Sequence, residues 1–378
     1  MKKQKIKLVV NAIPLTNIST GIGRYIRCLY SYLEALYRDR LEVRYFDGQS
    51  ALRRFPSGPR NLRRWSSTTD LFWRLPPLVT VSFRIAMQCQ REIAFRRAAR
   101  DIDLYHEPGF FPFMGSKKYK TVFTVHDLSF IHVPSFHPPE RVYFSRLFFT
   151  RRCRRVDHFL TVSDFTRKEF ESLLGPLKNR VTVTQLAHDS KIFYPRKSLE
   201  IKAVRESYRL PEKYLLFVGA GDPRKNLSVI LPALAGSGLT IPLAVVGWPG
   251  WSNIDYTDDR LVFLGYVPDD DLACLYSDAL ALVFPSVYEG FGLPILEAMA
   301  CGCPVICSRT SSIPEVAADA AIYLEDPHDS ISLAFLLKDL AESPALCDEL
   351  SQKGRKQASH FSWEATARKT FEVFESLL

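Results

Sequence analysis

Glu289 and Glu297 stand eight residues apart in VFPSVYEGFGLPILEAMACGCP, around a glycine-rich turn. The apolar run from Ala279 to Phe284 reads as a buried strand ending at Pro285-Ser286. Gly290 and Gly292 then let the backbone come close to a ligand. A helix from Leu293 to Ala300 turns its first N–H groups and its positive dipole end toward that turn, so the backbone from Gly290 through Phe291 and Gly292 to Leu293 can cradle an anion. Glu289 sits in the loop and faces whatever binds. Glu297 follows on the helix, where its carboxylate can accept two hydroxyl hydrogen bonds. A carboxylate for a sugar, amides for a phosphate and a carboxylate for a ribose describe a sugar-nucleotide site. Taken singly, each glutamate would read as solvated surface.

Other polar groups fall at strand ends. Gly219-Ala220-Gly221-Asp222-Pro223-Arg224-Lys225-Asn226 follows a strand and is expected to open a helix. Arg224 as a fork and Lys225 as a point charge can neutralise a diphosphate. Thr20-Gly21-Ile22-Gly23-Arg24-Tyr25 lies between the first strand and the first helix. It is not the dinucleotide fingerprint, because Ile26 holds the place of a third glycine. Asp47 could still serve a nicotinamide ribose, which keeps an oxidoreductase reading open. His106-Glu107 and His126-Asp127 end two further strands, Tyr266-Val267 ends another and can edge a base pocket, and Ser163-Asp164 reads as an N-cap. Asp269-Asp270-Asp271 starts a helix, where carboxylates suit the dipole, and no metal is assigned to it.

Positioning these groups needs an α/β chain. Strands are expected at Ile6–Asn11, Val43–Phe46, Leu104–His106, Thr121–His126, Phe159–Ser163 and Val181–Gln185, with helices near Arg24–Tyr37, Met87–Arg100, Glu140–Arg152 and Asp164–Leu174. Strands recur at Leu215–Gly219, Leu243–Gly247, Val262–Tyr266, Ala279–Phe284, Pro304–Ser308 and Ala321–Leu324. The alternation fits two doubly wound units joined near Phe193-Tyr194-Pro195-Arg196, and 378 residues suit two domains.

Residues 1–200 hold 36 Lys+Arg against 17 Asp+Glu, and the remainder 14 against 24. A basic half of this size suggests an anionic surface or partner. Nucleic acid is not favoured, since the arginines are dispersed over helices and loops without a binding motif. Gly48 to Thr80, with Arg53-Arg54, Arg63-Arg64, Trp65 and Trp73, reads as a membrane-surface or acceptor element, or as a loop packed on its own domain. No apolar run reaches spanning length, and MKKQKIKLVVNAIPL, interrupted by Asn11, reads as a first strand rather than a leader. The eight cysteines lack zinc spacing and fit buried thiols in a reducing cytoplasm.

Together these segments resemble glycosyltransferase family 4, retaining enzymes of the GT-B fold. The E-x7-E spacing of Glu289 and Glu297, the passage ILEAMACGCPVI and the following SSIPEVAADAAIYLEDPHD carry the likeness, supported by the glycine, Arg, Lys, Asn element and the loop at Gly21 and Gly23. The resemblance implies two Rossmann-like domains facing an interdomain cleft. Residues 1–192 form the acceptor side, joined by a closing helix at 361–378 that crosses back to them, and residues 193–360 bind the nucleotide sugar. It implies that Arg224 and Lys225 hold the diphosphate, that Glu289 and His126 position the donor sugar, and that Glu297 binds the ribose. Asp127 and His106 are lesser candidates for acceptor binding or for holding His126. No metal or further cofactor is implied. TGIGRYI, TVHDLSFIHVPSFHP and the RKN element look most like bacterial mannosyltransferases of O-antigen or exopolysaccharide assembly. That implies GDP-mannose, a lipid-linked saccharide acceptor and a peripheral place on the inner face of the bacterial inner membrane. These residues do not distinguish guanine, uracil and thymine. A UDP- or dTDP-sugar enzyme, or a sugar-nucleotide epimerase of the same fold, therefore stays open.

Overall fold

Short runs of valine, leucine and phenylalanine, closed by glycine or polar residues, become parallel strands buried on both faces, and the amphipathic stretches between them cover the sheets. The computed structural model describes residues 5–16, 21–57, 77–175, 180–219, 221–247 and 258–378, with side chains from residue 81 onward in the helix that starts at Pro77. Thr20, Arg63-Arg64, Trp65, Trp73 and Ala220 lie outside the described residues. The chain forms two compact units, Met1–Gln185 with Trp363–Leu378, and Leu186–Ser362.

In the first unit β1 (Ile6–Asn11) leads to α1 (Gly21–Tyr37), β2 (Leu41–Phe46) and the short β3 (Ala51–Leu52). Then follow α2 (Pro77–Ala98), β4 (Leu104–Glu107), β5 (Lys120–Val125), the single turn α3 (Ser129–His132) and α4 (Pro139–Cys153). β6 (His158–Thr161), α5 (Asp164–Leu174) and β7 (Val181–Val183) complete the sheet, whose order is β3-β2-β1-β4-β5-β6-β7. β3 pairs antiparallel with β2, and the other pairings are parallel. Phe46, Phe95, Tyr105 and Phe113 form one buried cluster and Phe123, Phe149, Phe159 and Phe170 a second, and the strand register places Phe46, Tyr105, Phe123 and Phe159 on the same face of the sheet.

Two expectations need correction here. α1 begins at Gly21 rather than Arg24, so Gly21 and Gly23 form the first turn of the helix instead of a loop before it. α2 begins at Pro77, well ahead of Met87.

The second unit contains α6 (Ser198–Ser207), β8 (Leu215–Val218), α7 (Ile230–Ser237), β9 (Leu243–Val246), β10 (Leu261–Gly265) and α8 (Asp269–Asp278). β11 (Ala281–Phe284), α9 (Leu293–Ala300), β12 (Val305–Ser308), α10 (Ile313–Ala317), β13 (Ile322–Leu324), α11 (Ser330–Glu342) and α12 (Pro344–Ala358) follow. Its sheet has the order β10-β9-β8-β11-β12-β13 and is parallel throughout. The last helix, α13 (Trp363–Ser376), leaves this unit and packs on α1 of the first. Tyr37 and Phe371 stack at 3.7 Å between ring centres, and Thr366 Oγ1 donates to the Gln185 carbonyl at 2.6 Å. No helix among the described residues is long and apolar enough to cross a membrane.

Each sheet reverses its strand order once, between β1 and β4 in the first unit and between β8 and β11 in the second. A ligand of a doubly wound sheet binds outside the strand ends at that reversal, because the connecting helices diverge to opposite faces and leave a crevice.

His106, on β4, is fully buried. Its Nδ1 lies 2.5 Å from the Tyr30 hydroxyl and its Nε2 2.8 Å from Thr124 Oγ1, while Phe374 of α13 covers the ring edge-on. Burial, with a small contribution from His126, pushes its pKa down to about 3. A histidine that stays neutral when folded and titrates near 6.5 when unfolded draws protons toward the unfolded state. Its contribution is therefore complete above about pH 6.5 and declines as the pH falls toward 3. We expect wild-type stability to drop by about 1.4 kcal/mol per pH unit from this group below its unfolded pKa. Urea midpoints of wild type and His106→Gln compared at pH 7 and pH 5 test this: a wild-type loss no larger than the variant's would remove His106 from the acid response.

Candidate active site

At the reversal in the second unit, two loops meet. After β8 the chain does not open an α-helix as expected. It makes two 3-10 turns, Pro223–Lys225 and Leu227–Val229, hinged at Asn226, which adopts the left-handed conformation at φ 58°. The Asn226 amide donates to the Pro285 carbonyl at 3.2 Å and to the Pro327 carbonyl at 2.6 Å. These two bonds hold the hinge and fix the side chains on either side of it. Asparagine suits the position because it tolerates left-handed backbone better than other side chains.

The loop after β11 is pinned from several directions. The Val287 N–H donates to the Arg224 carbonyl at 2.8 Å, joining the two loops. The Glu289 N–H donates to Ser311 Oγ at 2.9 Å, while Ser312 Oγ donates to the carbonyls of Glu289 and Phe291 at 2.9 and 3.1 Å. Ser308 Oγ and Thr310 Oγ1 both donate to the Ser286 carbonyl. The hydroxyl run after β12 thus holds the ligand-facing turn, a role the sequence reading did not assign. Its signal was present, as SRTSS placed directly at a strand end.

Lys225 and Glu289 come together. Lys225 Nζ lies 2.5 Å from Glu289 Oε1, with both side chains largely buried, and sits over the Phe284 ring at 4.8 Å. An ammonium has three N–H donors, so pairing one with Glu289 orients the group while others can reach an oxyanion. Gly219 makes room for this lysine, since a Cβ there would stand 3.2 Å from Lys225 Cγ.

Arg224 is paired within its own loop. Its Nε and Nη2 donate to Asp222 Oδ2 at 3.0 and 2.8 Å. Burial pushes the Asp222 carboxyl up, but the Arg224 charge and hydrogen bonds outweigh it and hold the group below its ordinary value. Two cations and two carboxylates therefore meet where the two loops join, and each cation is preset by its own acid.

Gly292, at φ 107°, caps α9 in a conformation that an L side chain strains to adopt, which explains glycine there. The backbone then turns the first amides of α9, from Leu293, toward the crevice. Glu297 lies one turn along that helix and is 1% exposed. The Phe291 ring turns into the core against Phe361, 5.8 Å away, so only its backbone remains for a ligand. Gly290 is buried beside it. Tyr266 and Val267 follow β10, two strands from the reversal; Tyr266 is half-exposed and Val267 is buried. Asp270 and Asp271 at the start of α8 bind Arg196 and the Tyr208 hydroxyl.

In the first unit, His126 follows β5. Its Nε2 lies 2.8 Å from the Pro108 carbonyl, and Tyr25 meets its ring edge-on at 4.9 Å. A carbonyl only accepts, so Nε2 carries the proton and Nδ1 is left as an acceptor. Burial holds the imidazole below its ordinary pKa, against the opposing effects of the Pro108 bond and Asp127. His106 is fully buried, with a hydroxyl at each ring nitrogen. It runs through Thr124 to Tyr25, whose hydroxyl is 3.0 Å from Thr124 Oγ1, and so supports the ring that packs on His126. Asp127 Oδ1 accepts from the Ser129 N–H and hydroxyl, starting α3.

Comparison with known proteins agrees with this layout. Residues 19–190 match the model of glycosyltransferase family 4, and residues 200–357 that of the glycosyl transferases group 1. The chain is 32% identical to the O-antigen chain mannosyltransferase B of Escherichia coli, over 98% of this chain and 100% of that protein. It is 30% identical to the O-antigen chain mannosyltransferase RfbU of Salmonella typhimurium, over 58% of this chain and 61% of that one. Among solved structures it resembles a sucrose-phosphate synthase from Thermosynechococcus elongatus, with a TM-score of 0.72, 20% identity and 99% of each chain covered. That likeness establishes the GT-B fold.

Proposed function

Because the chain belongs to glycosyltransferase family 4, we propose that it transfers mannose from GDP-mannose, with retention, to a growing bacterial polysaccharide on a lipid carrier. The observation that carries the donor half of this reading is the Lys225–Glu289 pair beside the amino end of α9, at the reversal of the second sheet. The mannosyl and polysaccharide assignments rest on the full-length similarity to an O-antigen chain mannosyltransferase.

Lys225, Arg224 and the first amides of α9 take the diphosphate and stabilise the charge that develops as the glycosidic bond breaks. Glu297 accepts the ribose hydroxyls. Glu289 faces the sugar while steadying Lys225. His126 offers Nδ1 to a sugar hydroxyl, as an acceptor. The acceptor oxygen bonds to the anomeric carbon on the face the phosphate leaves, and the departing phosphate oxygen takes the acceptor's proton. This route needs no separate base and no metal. Tyr266 and Val267 edge the base, and the amides of Gly21 and Gly23 contribute to the anion's surroundings. The protein works in the cytoplasm, against the inner membrane's anionic face.

The test is a donor panel. Purified protein is titrated calorimetrically with GDP, UDP and TDP, then incubated with GDP-mannose and a mannose-terminated acceptor. We expect GDP to bind at least tenfold tighter than the others and the product to show an α-anomeric linkage by NMR. A preference for UDP or TDP would overturn the donor assignment, and a β linkage would overturn retention. Release of an epimerised free sugar without transfer would replace the transferase reading with an epimerase.

A further inference from the structure

His126 can offer Nδ1 to a sugar hydroxyl only while its proton stays on Nε2. The Pro108 carbonyl that faces Nε2 shares one peptide plane with the Gly109 N–H. A peptide unit is rigid and planar, so its carbonyl and its N–H point in opposite directions and turn together. The N–H end is held by Glu107, whose Oε1 accepts from it at 3.1 Å. Glycine accepts φ of either sign, so a Pro-Gly peptide can stand in two orientations that differ by a half-turn of its plane. Gly109 is not at positive φ, which is one of the two.

Glu107 is fully buried at the end of β4. Each of its hydrogen-bond partners is a donor. The Asn11 amide and the Tyr105 hydroxyl donate to Oε2 at 2.7 and 2.6 Å, beside the Gly109 N–H at Oε1. Asn11 cannot turn round, because its Oδ1 accepts from the Ile13 N–H at 3.2 Å. The Tyr105 oxygen accepts from the Phe113 N–H at 3.3 Å, which leaves its proton for Glu107. Three donors on two oxygens call for an ionised carboxyl. A carboxylate also repels a carbonyl. Were the plane to turn over, the Pro108 carbonyl would face Glu107 and the Gly109 N–H would face His126. The imidazole proton would then move to Nδ1, and the acceptor would be lost. An amide or a neutral carboxyl could donate to the turned carbonyl and so would tolerate that state.

We propose that Glu107 is a positioning residue for sugar transfer, its carboxylate holding the Pro108–Gly109 peptide in the orientation that keeps His126 protonated at Nε2 and open at Nδ1. This rests on the sugar contact proposed for His126. Burial raises the Glu107 carboxyl to about 7, against its three donors and the charge of Arg152 from α4, which Glu92 of α2 binds in turn. The ionised form that holds the plane is therefore lost as the pH falls through about 7.

Tautomer and rate can be read separately. In histidine-labelled wild type at pH 8, nitrogen NMR should show His126 protonated at Nε2, its resonance identified by its absence from His126→Gln. Glu107→Gln should place the proton on Nδ1 in a large share of molecules and lower kcat about fivefold, as for one lost neutral hydrogen bond. In a His126→Gln background the same substitution should cost nothing further, whereas a residue that only supported the fold would lower kcat again. An unchanged tautomer in Glu107→Gln, or losses that simply add, would overturn the proposal. Tyr105→Phe keeps the carboxyl and serves if Glu107→Gln fails to fold. Wild-type kcat should fall on the acid side with a midpoint near pH 7, and Tyr105→Phe should move that midpoint upward, since ionised Glu107 has lost a donor. A midpoint left in place would equally overturn it. The His126 contact fails separately. If His126→Gln transfers sugar at the wild-type rate while the His126 tautomer still follows Glu107, the contact falls and the peptide control stands. A slow His126→Gln enzyme beside a Glu107→Gln enzyme of wild-type rate and tautomer sinks Glu107 alone.

Discussion

Lys225→Met is expected to lower kcat/KM for sugar transfer by about 10²–10³-fold, the range found when one preorganised charge stabiliser is removed from a site where charge develops. Lys225 Nζ and Glu289 Oε1 are 2.5 Å apart in largely buried surroundings, so the substitution also strands the Glu289 carboxylate. Breaking a pair of this kind costs about 3 kcal/mol at the low end of the buried range. That corresponds to a Tm roughly 6–12 °C lower for a unit of this size. Rate and stability can be told apart with the double variant. Lys225→Met with Glu289→Gln removes both charges, and we expect it to regain most of the lost Tm while staying as inactive as the single variant. The activity losses of the two single variants should then fall far short of adding, because both disrupt one unit. A Lys225→Met enzyme that melts early yet turns over normally would reduce the pair to a structural role.

How much of this could be read beforehand follows from what each feature depends on. The strands were legible because each is a short apolar run buried on both faces of a parallel sheet, which leaves little freedom in where it begins. α9 and its turn were legible for a related reason, since Gly292 must adopt a positive φ and Pro294 fits the first turn of a helix. The start of α2 was not. Val79, Thr80 and Val81 are β-branched residues that disfavour helix locally, so the sequence pattern gives no helix start there although α2 begins at Pro77.

Long-range pairings were the other blind spot. Nothing in the spacing of GDPRKN indicates that Lys225 pairs with Glu289, 64 positions away, or that Asn226 reaches the Pro327 carbonyl 101 positions away. Charge totals describe a half of the chain and do not tell which acid meets which cation.

Glu297→Ala is expected to weaken GDP binding by roughly 10- to 150-fold, the equivalent of a charge-assisted hydrogen bond worth about 1.5–3 kcal/mol. Affinity alone is an ambiguous measure, since Glu297 is 1% exposed in the middle of α9 and its removal leaves a gap in packed surroundings. The ligand supplies a cleaner comparison. If the carboxylate accepts from the ribose hydroxyls, wild type should bind GDP about tenfold or more tighter than 2′-deoxy-GDP, because the carboxylate loses the bond that the 2′-hydroxyl donates. Glu297→Ala should bind the two equally. Because the comparison is made within one protein, any loss of folding cancels. A variant that still prefers ribose would show that another group reads the hydroxyl, and Glu297 would revert to a packing residue of α9. Loss of the preference with kcat preserved at saturating donor would place the whole effect in ground-state binding, as expected for a group remote from the anomeric carbon.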